Sequence, residues 1–186
     1  MSLVDEAFKV VRREDFLPDD LQDEAIIDAP LPIGFGQTNS QPSTVRMMLD
    51  WLKVEPGNKI LDVGSGSGWT TALLAYLTGP KGKVYAVEKV PELVGFGRQN
   101  CQKAGVKNAV FYKAGSVVGL PKFAPYDRIL VSAAAKEIPE ELLDQLIIGG
   151  RMVVPVVNSI FIINKVGNKD YEIAEKFGFA FVPLIT

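Results

Sequence analysis

The 186-residue chain has no histidine and one cysteine, Cys101. Without histidine, neither a Ser-His-Asp triad nor an ordinary zinc site can be assembled, and no metal is expected. A lone cysteine excludes an internal disulfide. Because Cys101 falls in a stretch of helical spacing, it reads as a small core residue rather than a reactive thiol. Positive charge is not in excess either: 20 Lys and Arg stand against 22 Asp and Glu, a formal charge of −2, with no local run of cations. Nucleic acid is therefore not an expected partner. No apolar run reaches the length of a membrane span, and the first residues lack the charged-then-apolar order of a secretory leader. A cytoplasmic monomer with no membrane partner is expected.

Apolar residues make up 47% of the chain, enough for one domain with a core. We read residues 1–186 as that domain, with 1–57 a helical and loop region and 58–186 a sheet. Residues 4–28 are polar and broken and read as short helices packed on a domain. Residues 29–42, Ala-Pro-Leu-Pro-Ile-Gly-Phe-Gly-Gln-Thr-Asn-Ser-Gln-Pro, hold three prolines and two glycines, so neither a helix nor a central strand continues through them. Pro42 suits a first helical turn, and Val45, Met48, Trp51 and Leu52 recur at helical spacing until Pro56-Gly57.

From residue 59 short apolar runs alternate with helical stretches. Strands are expected at 59–63, 83–87, 109–112, 128–132 and 151–154, and helices at 70–77, 91–104 and 139–146. Two further runs, 159–166 and 177–182, lack a crossover helix between them and should pair antiparallel at one sheet edge. The expected fold is α/β, doubly wound and Rossmann-like. Its mostly parallel seven-stranded sheet carries an antiparallel strand at the C-terminal edge and helices on both faces.

Asp62-Val-Gly64-Ser65-Gly66-Ser67-Gly68 lies where the first strand of that sheet passes into a helix. Bare backbone at the carboxyl end of a parallel strand suits a nucleotide-like ligand, although a tight turn alone would also need glycine. A dinucleotide fingerprint starting at Gly64 would put glycine at 69, where Trp69 stands. The G-x-G-x-G form resembles the S-adenosylmethionine motif of class I methyltransferases. Glu88 closes the next strand, where an acid accepts from ribose hydroxyls; the alternative is a solvated charge at a strand end.

The stretch 29–42 resembles the signature loop of the protein-L-isoaspartate O-methyltransferases. So do Arg13-Glu-Asp-Phe-Leu-Pro18, Leu61–Gly68, Pro125-Tyr-Asp-Arg-Ile129, Gly149-Gly150 and Phe181-Val-Pro-Leu184. That resemblance implies methyl transfer from S-adenosylmethionine to the free carboxylate of isoaspartyl residues in damaged peptides and proteins, leaving S-adenosylhomocysteine. It implies Ser40 and Thr38 as catalytic residues. Asn39, Asp62, Gly64, Ser65, Gly66, Ser67, Gly68, Glu88, Ala114 and Gly115 would lie at the cofactor, and Asp28, Pro32, Ile33 and Gly34 on the substrate side. Ser40 has a competing reading as a helix cap ahead of Pro42. The sequence departs from the family pattern at Ile26 (usually Tyr), Asn39 (usually Ile), Ala114 (usually an adenine-contacting Asp) and Ile185 (usually Thr). Two other functions stay open: a binding module descended from the family, and a methyltransferase for another carboxylate or small molecule.

Overall fold

The computed structural model describes residues 2–185, so Met1 and Thr186 of the expected 1–186 domain lie outside the described residues. Ser2 and Asp5 open α1 (Leu3–Val10) as a capping box, each side chain accepting from the other's backbone N–H. Two 3-10 turns, Arg13–Phe16 and Asp19–Glu24, lead into a hairpin of β1 (Leu31–Gly34) and β2 (Gln37–Asn39). Helix α2 (Pro42–Leu52) starts on its proline and ends at Lys53, whose left-handed φ of 52° stops it ahead of Pro56.

The alternating part follows: β3 (Lys59–Val63), α3 (Trp69–Thr78), β4 (Lys83–Glu88), α4 (Pro91–Lys103), β5 (Ala109–Lys113) and β6 (Tyr126–Val131). After these come α5 (Glu140–Asp144), β7 (Leu146–Val156), β8 (Ser159–Lys165) and β9 (Tyr171–Phe177). One sheet runs in the order β5-β4-β3-β6-β7-β8-β9. Strands β3 to β7 are parallel, and β8 is antiparallel to both β7 and β9. Because successive strand residues point to opposite faces, Ile60, Val84 and Leu130 feed a core with α1–α4, while Leu61, Val87 and Ile129 feed a second one with α5. Among the described residues no helix is long and apolar enough to cross a membrane.

Three elements differ from the sequence reading. The edge strand is Tyr171–Phe177, not 177–182: it is exposed along most of its length, so its pairing with β8 leaves no apolar alternation to read. The apolar stretch after it instead crosses the carboxyl ends of the strands. There the Ala134 N–H donates to Val182 O and the Leu184 N–H to Ala134 O, both at 2.8 Å, and Phe179 packs edge-on against Trp51. The helix expected at 139–146 is only Glu140–Asp144, because β7 already begins at Leu146. Residues 29–42, expected as loop, contain the short hairpin, which turns through Gly34, Phe35 and Gly36, all at positive φ.

The chain winds outward from β3 to β4 and β5 in one direction, then returns to place β6 on the other side of β3. This reversal leaves a crevice at the carboxyl ends of β3 and β6, the position where open α/β sheets bind ligands.

Candidate active site

At the end of β3 the chain makes the glycine turn. The Gly64 and Ser65 N–H groups donate to Val87 O (2.9 and 3.2 Å), and the Gly68 N–H donates to Ser65 O at 2.8 Å. The Glu88 carboxylate completes the frame, accepting from the Gly66 N–H through one oxygen and the Val90 N–H through the other, each at 2.9 Å. Glu88 is only 7% exposed, so it is not a solvated strand-end charge. Two glycines here are dictated by contact. A Cβ on Gly68, which has φ +87°, would sit 2.8 Å from Gly97 O. One on Gly97 of α4 would sit 2.9 Å from Gly66 O. The turn and α4 therefore touch backbone to backbone.

Asp62 lies beneath the turn, fully buried, its Oδ2 accepting from the Thr70 and Thr71 hydroxyls at 3.0 and 2.6 Å. Burial pushes its pKa up from 3.8 to about 6; the two threonine hydroxyls oppose that rise and the Glu88 charge adds to it. Its Oδ1 and the buried Ser65 Oγ have no hydrogen-bond partner among the described residues. Cys101, on α4, is buried with its thiol donating to Gly68 O, and burial raises its pKa to about 12, which suits a packing role.

A cleft of about 700 Å³, counted to its open mouth, spreads over the turn. Gly64 and Gly66 line it beside Glu88. Ala114–Gly119 contribute one stretch of its wall and Val182–Ile185 another. Ile33 and Thr38 reach it from the hairpin, and Ser132 and Ala133 from the end of β6. A smaller recess continues past Thr38, Asn39 and Ser40, sharing Gly64, Gly66 and Ser132 with the larger cleft.

The structure separates the two readings of Ser40. Helix α2 is capped from outside by Asp28, whose Oδ1 accepts from the Ser43 N–H at 2.9 Å while Oδ2 accepts from Gln41 Nε2 at 3.1 Å. These bonds, the Ser43 backbone first, hold the Asp28 pKa below the ordinary carboxylate range. Ser40 is not the cap, and it lines the recess.

The loop carrying these residues is gathered by Arg13. This residue is 5% exposed, and its side chain makes six hydrogen bonds: to Asn39 Oδ1, and to the carbonyls of Ala25, Ile27, Ala29, Asn39 and Ser40. Its guanidinium carbon also lies 5.5 Å from the Trp69 ring centre. Burial lowers the Arg13 pKa, and the Asp28 charge opposes that. Asn39 Nδ2 in turn donates to Ser67 Oγ at 3.1 Å, and Asn100 Nδ2 donates to Ser67 O at 3.0 Å.

Of the residues singled out from the sequence, Gly64, Gly66, Glu88, Ala114, Gly115, Thr38 and Ile33 line the cleft, and Ser40, Asn39, Ser65 and Ser67 line the recess. Asp62 and Gly68 line neither, Asp28 is the helix cap, and Pro32 and Gly34 are exposed on the hairpin away from the cleft lining. Sequence reasoning missed Ser132 and Lys89, and of the wall at Val182–Ile185 it singled out only Ile185, through the family resemblance. Ser132 had a signal, since it ends an expected strand; at the wall the only signal was the resemblance at Phe181–Leu184 and Ile185, because the apolar run up to Val182 looks like strand.

The profile of the family described as protein-L-isoaspartate(D-aspartate) O-methyltransferase matches residues 2–186. A protein-L-isoaspartate O-methyltransferase from Methanopyrus kandleri is 45% identical over 187 aligned residues, covering 98% of this chain and 83% of the relative. A solved protein-L-isoaspartate O-methyltransferase superposes with a TM-score of 0.90 at 27% identity, over 98% of this chain and 61% of that one. A structure from Plasmodium falciparum in complex with S-adenosyl-L-homocysteine gives a TM-score of 0.88 at 25% identity, covering 100% of this chain and 91% of that one. By sequence along nearly its whole length and by fold, the chain belongs to the protein-L-isoaspartate(D-aspartate) O-methyltransferase family.

Proposed function

We propose that this protein transfers a methyl group from S-adenosylmethionine to the free carboxylate of isoaspartyl residues in peptides and proteins, releasing S-adenosylhomocysteine. The observation that carries the reading is the junction of cleft and recess: the two share Thr38 of the loop, Gly64 and Gly66 of the glycine turn, and Ser132 as walls. A nucleoside held on the turn and a carboxylate held by the hydroxyls would therefore meet.

The residues present fit the cofactor. Glycines at 64 and 66 leave backbone bare, and Ser65 Oγ is a buried polar atom without a partner among the described residues. Each Glu88 oxygen already accepts one backbone N–H and keeps a lone pair for a ribose hydroxyl. When bound, S-adenosylmethionine supplies an activated methyl group.

The chain itself has little proton chemistry to perform. An isoaspartyl carboxylate, with a reference pKa of about 4, is ionised at neutral pH and needs no base. Thr38, Ser40 and Ser132 donate from their hydroxyls to its oxygens and fix its direction, and such alignment is the main contribution a protein can make to a displacement of this kind. Ile33, Val182 and Leu184 give the cleft apolar surface that keeps competing water out.

Calorimetry with S-adenosylhomocysteine, followed by methanol release from an isoaspartyl peptide, tests the reading. Binding and turnover are expected, with Ser40→Ala slowing turnover about tenfold or more and changing cofactor affinity little. Binding without turnover on that peptide would transfer the reading to a different acceptor. A weakly binding family member is the second reading, and Ala114 favours it: the wall from Ala114 to Gly119 offers no carboxylate to a base lying against it.

A further inference from the structure

The geometry points to Arg13 and Asn39 as positioning residues that couple the occupancy of the glycine turn to the order of the substrate loop. This rests on the functional reading above and names how its two halves communicate.

Residues 25–40 leave and return to the same place. At the neck, one buried guanidinium binds the carbonyls of Ala25, Ile27 and Ala29 on the outgoing limb and those of Asn39 and Ser40 on the returning one. Beyond the neck, Leu31 and Ile33 are buried against Leu17 and Leu93, while Phe35, at the hairpin tip, is 60% exposed. The loop is thus held by the clasp at its neck together with this small apolar cluster. Arginine suits this place, because a planar fork can meet several carbonyls at fixed angles, and a lysine cannot.

Asn39 ties the clasp to the turn by hydrogen bonds, beside the Arg13 contact with the Trp69 ring. Asn39 is 4% exposed, and its amide is used at both ends: Oδ1 accepts from Arg13 Nε at 2.8 Å, and Nδ2 donates to Ser67 Oγ at 3.1 Å. Ser67 is itself pinned from α4, where Asn100 Nδ2 donates to its carbonyl. Thr38 and Ser40, which line the recess, flank Asn39 directly in sequence. A ligand that settles the backbone of residues 64–68 therefore settles the Ser67 hydroxyl, the Asn39 amide and the two flanking residues together. Isoleucine at position 39 could make neither bond, so the connection belongs to this chain's own residue.

The consequence is thermodynamic coupling, which is reciprocal between the two ligands. The affinity of an isoaspartyl peptide is measured by fluorescence anisotropy on the full chain and on two variants, Asn39→Ile and Ser67→Ala. Each protein is titrated without S-adenosylhomocysteine and again at a concentration that saturates it. In the unaltered protein S-adenosylhomocysteine is expected to tighten the peptide on the order of fivefold or more. In both variants that enhancement falls to near one while the thermal transition stays cooperative. A merely structural role would lower the melting temperature and leave the enhancement in place. Ser67→Ala removes only a hydroxyl and remains informative should Asn39→Ile fold poorly. Enhancement retained in Ser67→Ala, or absent from the unaltered protein, overturns the coupling while leaving the enzyme reading standing. Failure of the unaltered protein to bind the peptide or release methanol overturns that reading and the coupling with it.

Discussion

The glycine turn between β3 and α3 is framed by regular neighbours, with β4 and α4 supplying Val87, Glu88, Gly97 and Asn100, whereas the two limbs of the loop 25–40 are joined by one guanidinium from outside it, with Leu31 and Ile33 packed on Leu17 and Leu93. Several of the turn's contacts are backbone against backbone, at Val87 and Gly97, which leaves it less room to shift than the loop has. Five of the loop's carbonyls converge on one side chain, so a single substitution at Arg13 loosens its neck. A methyltransferase has reason for this division: the surface under a cofactor must be preorganised, while a loop that admits a protein chain has to yield.

Breaking the clasp gives the largest expected effect. Arg13→Leu leaves five carbonyls, four of them part-buried, without their donor, and a loss of about 3 kcal/mol is expected in denaturant unfolding, since a group left unpaired costs about 1–3 kcal/mol when buried and less where water reaches it. Next comes pH. The unfolded Asp62 carboxylate ionises near 3.8 and the folded one near 6, so between those values the folded state binds a proton that the unfolded state does not. Stability from this group is therefore present at low pH and lost as pH rises from about 4 to about 6, by up to about 3 kcal/mol. Asp62→Asn should remove that slope, read as the difference between variant and unaltered protein in melts across the range. A slope unchanged by the substitution would mean that Asp62 titrates normally.

Gly97→Ala sharpens the comparison from the turn's side. Its Cβ meets Gly66 O and the Phe111 ring, both at 2.9 Å, so the turn or α4 must move. A cost of about 1–3 kcal/mol and an affinity loss of about tenfold for S-adenosylhomocysteine are expected, by melting and calorimetry. An unchanged affinity would show that the turn adapts. The smallest effect is a gain: Ala114→Asp places an acceptor on the cleft wall, and S-adenosylhomocysteine should bind several-fold tighter, the worth of about one hydrogen bond of roughly 1 kcal/mol.

The parts of the molecule legible in the sequence are those whose local pattern and tertiary role agree. Lys59–Val63 and Lys83–Glu88 are apolar runs because both sheet faces are covered, and the glycines after Val63 mark a turn that nothing bulkier can make. Glu88 was legible from its distance to the turn, but not its grip on the Gly66 and Val90 N–H groups. The illegible parts are those where pattern and role diverge. Tyr171–Phe177 is a strand with neither face buried, and Phe179–Leu184 is apolar without being strand because it packs across strand ends. Arg13 sits among charged residues in sequence and alone among carbonyls in space.

The amino-acid sequence by itself determined the order of strands and helices, the glycine turn and the acid that follows it, because hydrophobic period and backbone freedom act over a few neighbouring residues. Only the tertiary structure decided that Arg13 would close the loop, that Asn39 would tie it to Ser67, and that Asp28 rather than Ser40 would cap α2. Each of those depends on groups 12 to 28 residues apart being brought into hydrogen-bonding geometry by the folded chain, and no local pattern encodes such a meeting.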